Sequence, residues 1–500
     1  MRGSFFHMLI ALFTCFALTA AARQDDDALQ SQIRNVETGL PPVVNGGRTL
    51  RFSLQEWMQA LGVPGVSIAV IDHYKIAWAK GYGVLGENDP NEPVTAHTLF
   101  QAASITKPVT ALALLHYVEL GSFDLDADIN EYLRSWKLPE SSGVKKVTLR
   151  DLLAHSAGIT PGGFAGYQRG APLPTITQIL DGEPPASNRP AQVVSPPGST
   201  VSYSGLGYMM IQLALTDHLG KPFDKIVRTS VLDPIGMRES TFGPPPRASA
   251  ALGHFVTGKT IPGGWQVFPE LAAAGLWSTP SDLARMAIDV ATSVSGTSNH
   301  VLSAAMTRKM LTQHREEMGL GFVIRPEDPH GYFAHSGGNQ GYRCHFEMLS
   351  ETGQGIVVMT NSDAGRLIIL LLMKSVAQVY HWPSDERQPV SAALANDIVE
   401  QLNRLKTSRK QVHVNEHILA GYAGRYELAP GFVFDVALVD GHLEVKLGEQ
   451  PRFPVYPESE TEFFYEIVDA QITFVQNDAG KTVSLILHQN GRDQEAKRIK

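Results

Sequence analysis

The chain has 500 residues, 43% of them hydrophobic and 18% charged, and carries a formal charge of −8 from 42 basic and 50 acidic side chains. That length exceeds what one hydrophobic core usually holds, so two or more domains are expected. The composition excludes low-complexity and disordered classes, and the mildly acidic balance argues against nucleic acid as the main partner.

In the first 22 residues, Arg2 precedes the apolar run "FFHMLIALFTCFALTAAA", after which the chain turns polar. A basic start, a short apolar centre and Ala20-Ala21-Ala22 describe a secretory signal peptide cleaved after Ala22. This predicts export, periplasmic or secreted, with no transmembrane segment left after cleavage. A membrane anchor is disfavoured because the strongly apolar stretch is short for a span and no stop-transfer flank follows. Cys15 in "LFTC" loosely matches a lipobox, but Thr14 is a poor residue before the cysteine, which argues against lipoprotein anchoring. After cleavage only Cys344 remains, so no intramolecular disulfide can form.

Residues 23–50 read as a loose polar lead-in, and "LQEWMQALG" as a helix closed by Gly62. "GVSIAVIDHYKIAWAKGYG" alternates on both sides of Asp72-His73-Tyr74, which predicts a hairpin. Residues 106–120 form a long apolar helix, and from about 121 to 310 the signals are mainly helical with many loops. Four short strands return at 320–361, followed by a helix over about 364–380 whose "LIILLLM" core is too short to span a membrane and reads as buried. Strand signals thus flank a mainly helical middle, which predicts one antiparallel sheet built from both ends with a helical subdomain inserted. A helix at about 391–406 and a basic polar stretch follow. Beyond 420, "FVFDVALVDGHLEVKL" is a hairpin about Asp440-Gly441, and three more strands complete a small β-barrel or sandwich. The expected division is a signal peptide at 1–22, a main domain at 23–395, a linker at 396–411 and an all-β domain at 412–500.

The first chemical candidate is Ser104-Ile105-Thr106-Lys107, at the mouth of the long helix. A serine hydroxyl is a weak nucleophile until a neighbour takes its proton, and three residues along a helix put both side chains on one face. The helix N-terminus and burial would together lower the lysine pKa and make it a usable base. The alternative is that Ser104 only caps the helix. The same spacing recurs at Ser142-Gly143-Val144-Lys145, where Gly143 and polar neighbours indicate a loop. Tyr203, in "PPGSTVSYSGLGYMM", is a general base if held near a lysine and packing otherwise. His335-Ser336-Gly337-Gly338 ends a strand, where His335 could move a proton or bind a carboxylate and the glycines would let substrate reach the backbone.

Two decoys compete. "AHSAG" at 154–158 approximates a nucleophile elbow around Ser156, but the preceding "TLRDLL" reads as helix where that motif needs a strand. "HVNEH" at 413–417 matches a zinc-hydrolase pattern, yet that chemistry needs both histidines on one helix face and a third ligand, and no companion motif is apparent.

Ser104-x-x-Lys107, Tyr203-Ser-Gly205 and His335-Ser-Gly337, in that order, resemble the S-x-x-K, Y-x-N and K-T-G or H-x-G motifs of class C β-lactamases and penicillin-binding proteins, and of the esterases and D-aminopeptidases related to them. "GVPGVSIAVI", "VTLRDLLAHSAGI", "VLDPIGM" and "GGNQGYR" extend the resemblance over about residues 50–380, and the β-rich tail resembles the lipocalin-like domain appended to some of these hydrolases. The resemblance implies an α/β (α+β) fold of the β-lactamase/transpeptidase type with a small C-terminal barrel. It implies that Ser104 forms an acyl-enzyme, with Lys107 and Tyr203 sharing the activating proton and His335 assisting. The Ser104 and Gly338 N–H groups would form the oxyanion hole, with Gly337 beside them, and neither a metal nor a cofactor is required. Gly205 departs from the family's asparagine and, with His335 in place of lysine, favours a small ester or a D-amino-acid peptide or amide over a β-lactam. The alternative of another class is a non-catalytic receptor or binding protein on the same fold.

Overall fold

A computed structural model describes residues 26–45, 48–86, 91–139, 146–243, 245, 249–383, 411–429, 432–448, 452–465, 470–477, 479–489 and 492–499. The signal peptide with Cys15, the helix at 391–406, most of the linker and the Ser142–Lys145 pair lie outside the described residues. The chain divides into two compact units, residues 1–60 with 367–397 and residues 61–366 with 398–500.

The first unit corrects one expectation. Residues 26–38 are helical rather than a loose lead-in, and Ile33, Val36 and Leu40 are buried. The apolar spacing Ile33-Val36-Leu40 is helical, and the acidic start suits a helix N-terminus. The Ser375 hydroxyl donates to the Val36 carbonyl at 2.8 Å, tying this helix to the one at Arg366–Val379.

The second unit contains the expected sheet. We label its strands β1 (Gly65–Asp72), β2 (Lys75–Gly83), β3 (Val323–Ile324), β4 (Tyr332–Asn339), β5 (Tyr342–Leu349) and β6 (Gln354–Thr360). They pair antiparallel in the order β2-β1-β6-β5-β4-β3, so the central β1–β6 pair joins the two ends of the domain. Its helices α1 (Thr106–Glu119), α2 (Gly205–Leu219), α3 (Leu271–Ala274) and α4 (Pro280–Ser295) matter most here. Helix α1 is apolar almost all round and is buried from Thr106 to Leu115, as a helix without a polar face must be. Helix α4 starts at a Thr279 cap with Pro280 behind it and lays its apolar stripe on β1, β2, β5 and β6.

The C-terminal strands are β7 (Gly424–Ala429), β8 (Phe432–Val439), β9 (His442–Leu447), β10 (Phe453–Pro457), β11 (Glu462–Phe464), β12 (Ala470–Gln476), β13 (Thr482–Gln489) and β14 (Arg492–Ile499). Each pairs with the next and β14 returns to β7, closing an eight-stranded barrel where the sequence suggested five strands. Asp440 and Gly441 have φ of 45° and 80°, the left-handed pair that the β8–β9 turn requires. Tyr422, Tyr426, Phe434, Phe463 and Phe474 fill the interior, with Tyr422 stacked on Phe474 at 4.2 Å. The helix Glu416–Tyr422 begins after His413, so the two histidines of "HVNEH" do not share a helix face. Among the described residues no helix is long and apolar enough to cross a membrane.

Candidate active site

The chain reaches Ser104 through a 3₁₀ turn, Ala103–Ile105, that runs straight into α1. Neither Ala102 nor Ile105 caps these helices with a side chain, so Ser104 is not spent on capping. Ala103 holds φ at 48°, a left-handed conformation that an alanine adopts only when its surroundings impose it. Part of that constraint is β4. A Cβ on Gly337 would strike the Ala102 carbonyl and come within 3.2 Å of the Ala103 methyl, so glycine lets this strand lie against the turn.

Ser104 is partly exposed while its neighbours from Gln101 to Ala103 and from Ile105 to Thr110 are buried. Lys107 follows three residues later, on the same face. Its Nζ lies 3.1 Å from Ser104 Oγ and donates to the Ala273 carbonyl of α3 at 2.8 Å. The rings of Tyr203 and Tyr208 stand 4.9 and 5.5 Å from Nζ. This dry surround disfavours the ammonium, and burial pushes Lys107 down to about 7, so a large fraction is neutral amine at neutral pH.

Tyr203 comes from the loop that opens α2. Its hydroxyl donates to Ser104 Oγ at 2.8 Å. Although the residue is 40% exposed, what burial its phenol has pushes it up to about 12, against the opposing bond to Ser104. It is therefore a neutral donor at pH 7. The loop is held from three sides. Gly162 N–H donates to the Tyr203 carbonyl at 3.0 Å, Gly205 N–H returns to the Gly162 carbonyl at 2.8 Å, and Ser204 Oγ donates to the Thr160 carbonyl at 2.7 Å. Behind them sits His155, buried and at φ 55°, with its ring 4.2 Å from that of Tyr203. Its Nδ1 accepts the Ser204 N–H at 3.2 Å. Burial, with Lys107 and His335 nearby, holds His155 well below the usual histidine range.

His335 lies on β4, beyond the last residue paired with β3, Ala334. Residues 335–339 therefore present a strand edge that β3 does not cover. His335, Gly337 and Asn339 alternate to one buried face, while Ser336 and Gly338 are exposed. His335 Nδ1 lies 2.7 Å from the Ser336 carbonyl, and burial followed by the Lys107 charge pushes the ring down to about 3. It is a neutral imidazole that feels Lys107 electrostatically, and its ring bonds the strand rather than Ser104. The structure thus joins Ser104, Lys107 and Tyr203 directly and sets His335 and Gly337 in the adjoining strand.

Gly205 has an internal reason to be glycine. A Cβ there would lie 2.6 Å from the Phe164 ring and 3.2 Å from the Gly162 carbonyl. The space an asparagine side chain would need is filled by Phe164. Sequence reasoning missed Phe164, His155, Tyr208 and the Ala273 carbonyl. His155 lies within "AHSAG", one residue before Ser156. That serine is fully buried behind the helix Leu149–Leu153, with Oγ bonded to Asp151 Oδ1 at 3.0 Å, so no nucleophile elbow forms. Among the described residues no group of three or more His, Cys, Asp or Glu side chains could hold a metal ion.

An antiparallel sheet with an inserted helical region is the fold of the β-lactamase-like serine hydrolases, and the comparisons agree. Residues 53–368 match the Beta-lactamase family, and the chain belongs to it. Residues 408–498 match a domain of unknown function, DUF3471. Penicillin-binding protein 4* of Bacillus subtilis is 23% identical over 442 residues, 84% of this chain and 91% of that protein. The D-amino acid amidase of Ochrobactrum anthropi SV3, solved with L-phenylalanine amide, superposes with a TM-score of 0.53 at 21% identity, over 72% of this chain and 100% of that one. EstCE1, described as a hydrolase with promiscuous acyltransferase activity, gives 0.54 at 16% identity, over 71% and 100%. At these identities the superpositions speak for the fold alone.

Proposed function

We propose that this protein is a serine hydrolase acting through an acyl-enzyme on a small ester or on a D-amino-acid amide or peptide. The observation that carries the reading is the contact of one partly exposed hydroxyl, Ser104 Oγ, with both the Lys107 amine at 3.1 Å and the Tyr203 phenol at 2.8 Å. In its neutral form Lys107 accepts the Ser104 proton as Oγ attacks the substrate carbonyl, while the Ala273 carbonyl keeps the amine aimed. The N–H groups of Ser104 and Gly338 receive the negative charge that develops on the carbonyl oxygen. Tyr203 passes a proton to the leaving group and is reprotonated from Lys107. Water, activated by the same pair, then attacks the ester on Ser104 and releases the acid. His335 stays neutral and orders the edge of β4. Export, with cleavage after Ala22, belongs to the same proposal and rests on the Arg2-led apolar run.

The preference against β-lactams rests on Phe164, which fills the place of an amide at 205. Specificity constants for p-nitrophenyl acetate, D-phenylalanine amide and nitrocefin test it, with the ester or the amide exceeding nitrocefin by at least about tenfold. Nitrocefin as the best substrate would overturn the preference. A fluorophosphonate probe tests the chemistry itself. Label on the wild type but not on folded Ser104→Ala is expected, and no Ser104-dependent label would leave a binding protein on this fold as the better reading.

A further inference from the structure

Apart from the Ser104 cluster, one cleft of the second unit is closed by the barrel. It has a volume of about 290 Å3 and is walled by residues 160–165 and 187–189 on one side and by Phe432, Leu447 and Gly448 of the barrel on the other. The 160–165 wall is the segment bonded to the Tyr203 loop: Gly162 donates to the Tyr203 carbonyl and accepts from Gly205. Phe164, from the same wall, packs on Gly205. The cleft therefore lies against the backbone of the loop that carries Tyr203 and shares Phe164 with it. Arg189 bridges the two walls, its guanidinium 5.0 Å from the centre of the Phe432 ring. Among the described residues it is the one charged side chain in the lining, which mixes the apolar Phe164, Leu206, Phe432 and Leu447 with the polar Thr160, Ser187 and Asn188. Phe432 is 38% exposed, so its ring is open to a molecule entering the cleft.

We propose that this cleft receives the acyl portion of the substrate and that Phe432, a barrel residue, helps to set acyl specificity. The favoured acyl side chain is apolar or aromatic, and a basic group at the far end of that side chain, unlike an α-ammonium next to the scissile carbonyl, is repelled by Arg189. The acyl portion is the part retained on Ser104 between the two half-reactions, so a cleft beside Tyr203 acts on both. The inference rests on the serine-hydrolase reading given above.

The test holds the leaving group constant and varies the acyl group, comparing kcat/KM for p-nitrophenyl phenylacetate and p-nitrophenyl acetate. The wild type should favour phenylacetate. Phe432→Ala should lower the phenylacetate value about tenfold and leave acetate within about twofold, the range that apolar pocket contacts give. Should Phe432→Ala lower both esters alike, Gly163→Val decides by the same ratio. A Cβ on Gly163 meets no atom within 4 Å, so that side chain narrows the cleft while leaving the barrel intact. An unchanged phenylacetate-to-acetate ratio, with acetate turnover still dependent on Ser104, overturns the proposal and leaves the hydrolase reading standing. Absence of Ser104-dependent turnover of either ester, together with absence of a Ser104-dependent fluorophosphonate label, overturns both.

Discussion

Ser104 and Ser156 both stand in short motifs that serine hydrolases use, and both have a titratable side chain within hydrogen-bonding distance. Ser104 is partly open, and its partners are an amine pushed down to about 7 and a neutral phenol. Ser156 is fully buried, and its hydroxyl donates to Asp151. Burial alone would raise the Asp151 carboxyl, but hydrogen bonds from His314, Thr148 and Ser156 outweigh it and hold that carboxyl below its usual value. A carboxylate so stabilised is a poor proton acceptor, and no substrate reaches the hydroxyl beside it. A serine becomes a candidate nucleophile when access and a poised base coincide. Ser156 has neither, and its bond serves the turn between Leu153 and Gly158.

The largest expected effect separates the two directly. Ser104→Ala should lower kcat/KM on a turned-over ester by about 10⁴-fold or more with little change in thermal unfolding. Ser156→Ala should leave turnover within a few-fold and destabilise the protein by about 1–3 kcal/mol, because Asp151 loses a buried partner. If the two variants exchanged these signatures, the assignment of the nucleophile would be reversed.

Lys107 sharpens the comparison through pH. Only the neutral amine accepts a proton, so kcat/KM should be low well below pH 7, rise through about 7 and level off above it. Lys107→Met should reduce activity by about 10²–10⁴-fold and abolish that limb. Lys107→Arg should do no better, since a guanidinium stays charged. A rate profile flat from pH 5 to 8 in the wild type would remove Lys107 from the base role.

Much of the fold was legible because its signals are local. The apolar helix after Ser104, the alternation around Asp72-His73-Tyr74 and the Asp440-Gly441 turn each carry their own periodicity. The helix at 26–38 was misread because its buried side chains, Ile33 and Val36, are sparse in a polar stretch. The barrel was undercounted at β7, β10 and β14: β10 carries prolines at 454 and 457, and β14, RDQEAKRI, is mostly charged, too little for a strand signal. At the site, residues in short motifs were visible and those acting through space were not. Phe164 lies 41 positions before Gly205 in the chain yet determines what can stand there. The Ala273 carbonyl that aims Lys107 is backbone, which no residue type announces.

His155 gives the smallest and most diagnostic effect, because it reaches the site through the rings of Tyr203 and Tyr208 and not by contact with Ser104. Its ring packs on the phenol at 4.2 Å, and its Nδ1 accepts the N–H of the next residue, Ser204. Burial, with Lys107 and His335 nearby, holds His155 well below the usual histidine range, so it is a neutral ring at pH 7 and not the base. It is a positioning residue. His155→Ala removes the ring and leaves a buried N–H without an acceptor, so Tyr203 should lose its aim and kcat should fall about tenfold with KM little changed. The Lys107 limb near pH 7 should persist in that variant, which distinguishes a displaced Tyr203 from a changed base. His155→Asn offers the Ser204 N–H an oxygen and should recover part of the loss. A loss confined to thermal stability, with kcat intact in both variants, would show that the ring only fills the space behind the loop and that Tyr203 is aimed by its backbone bonds to Gly162 alone.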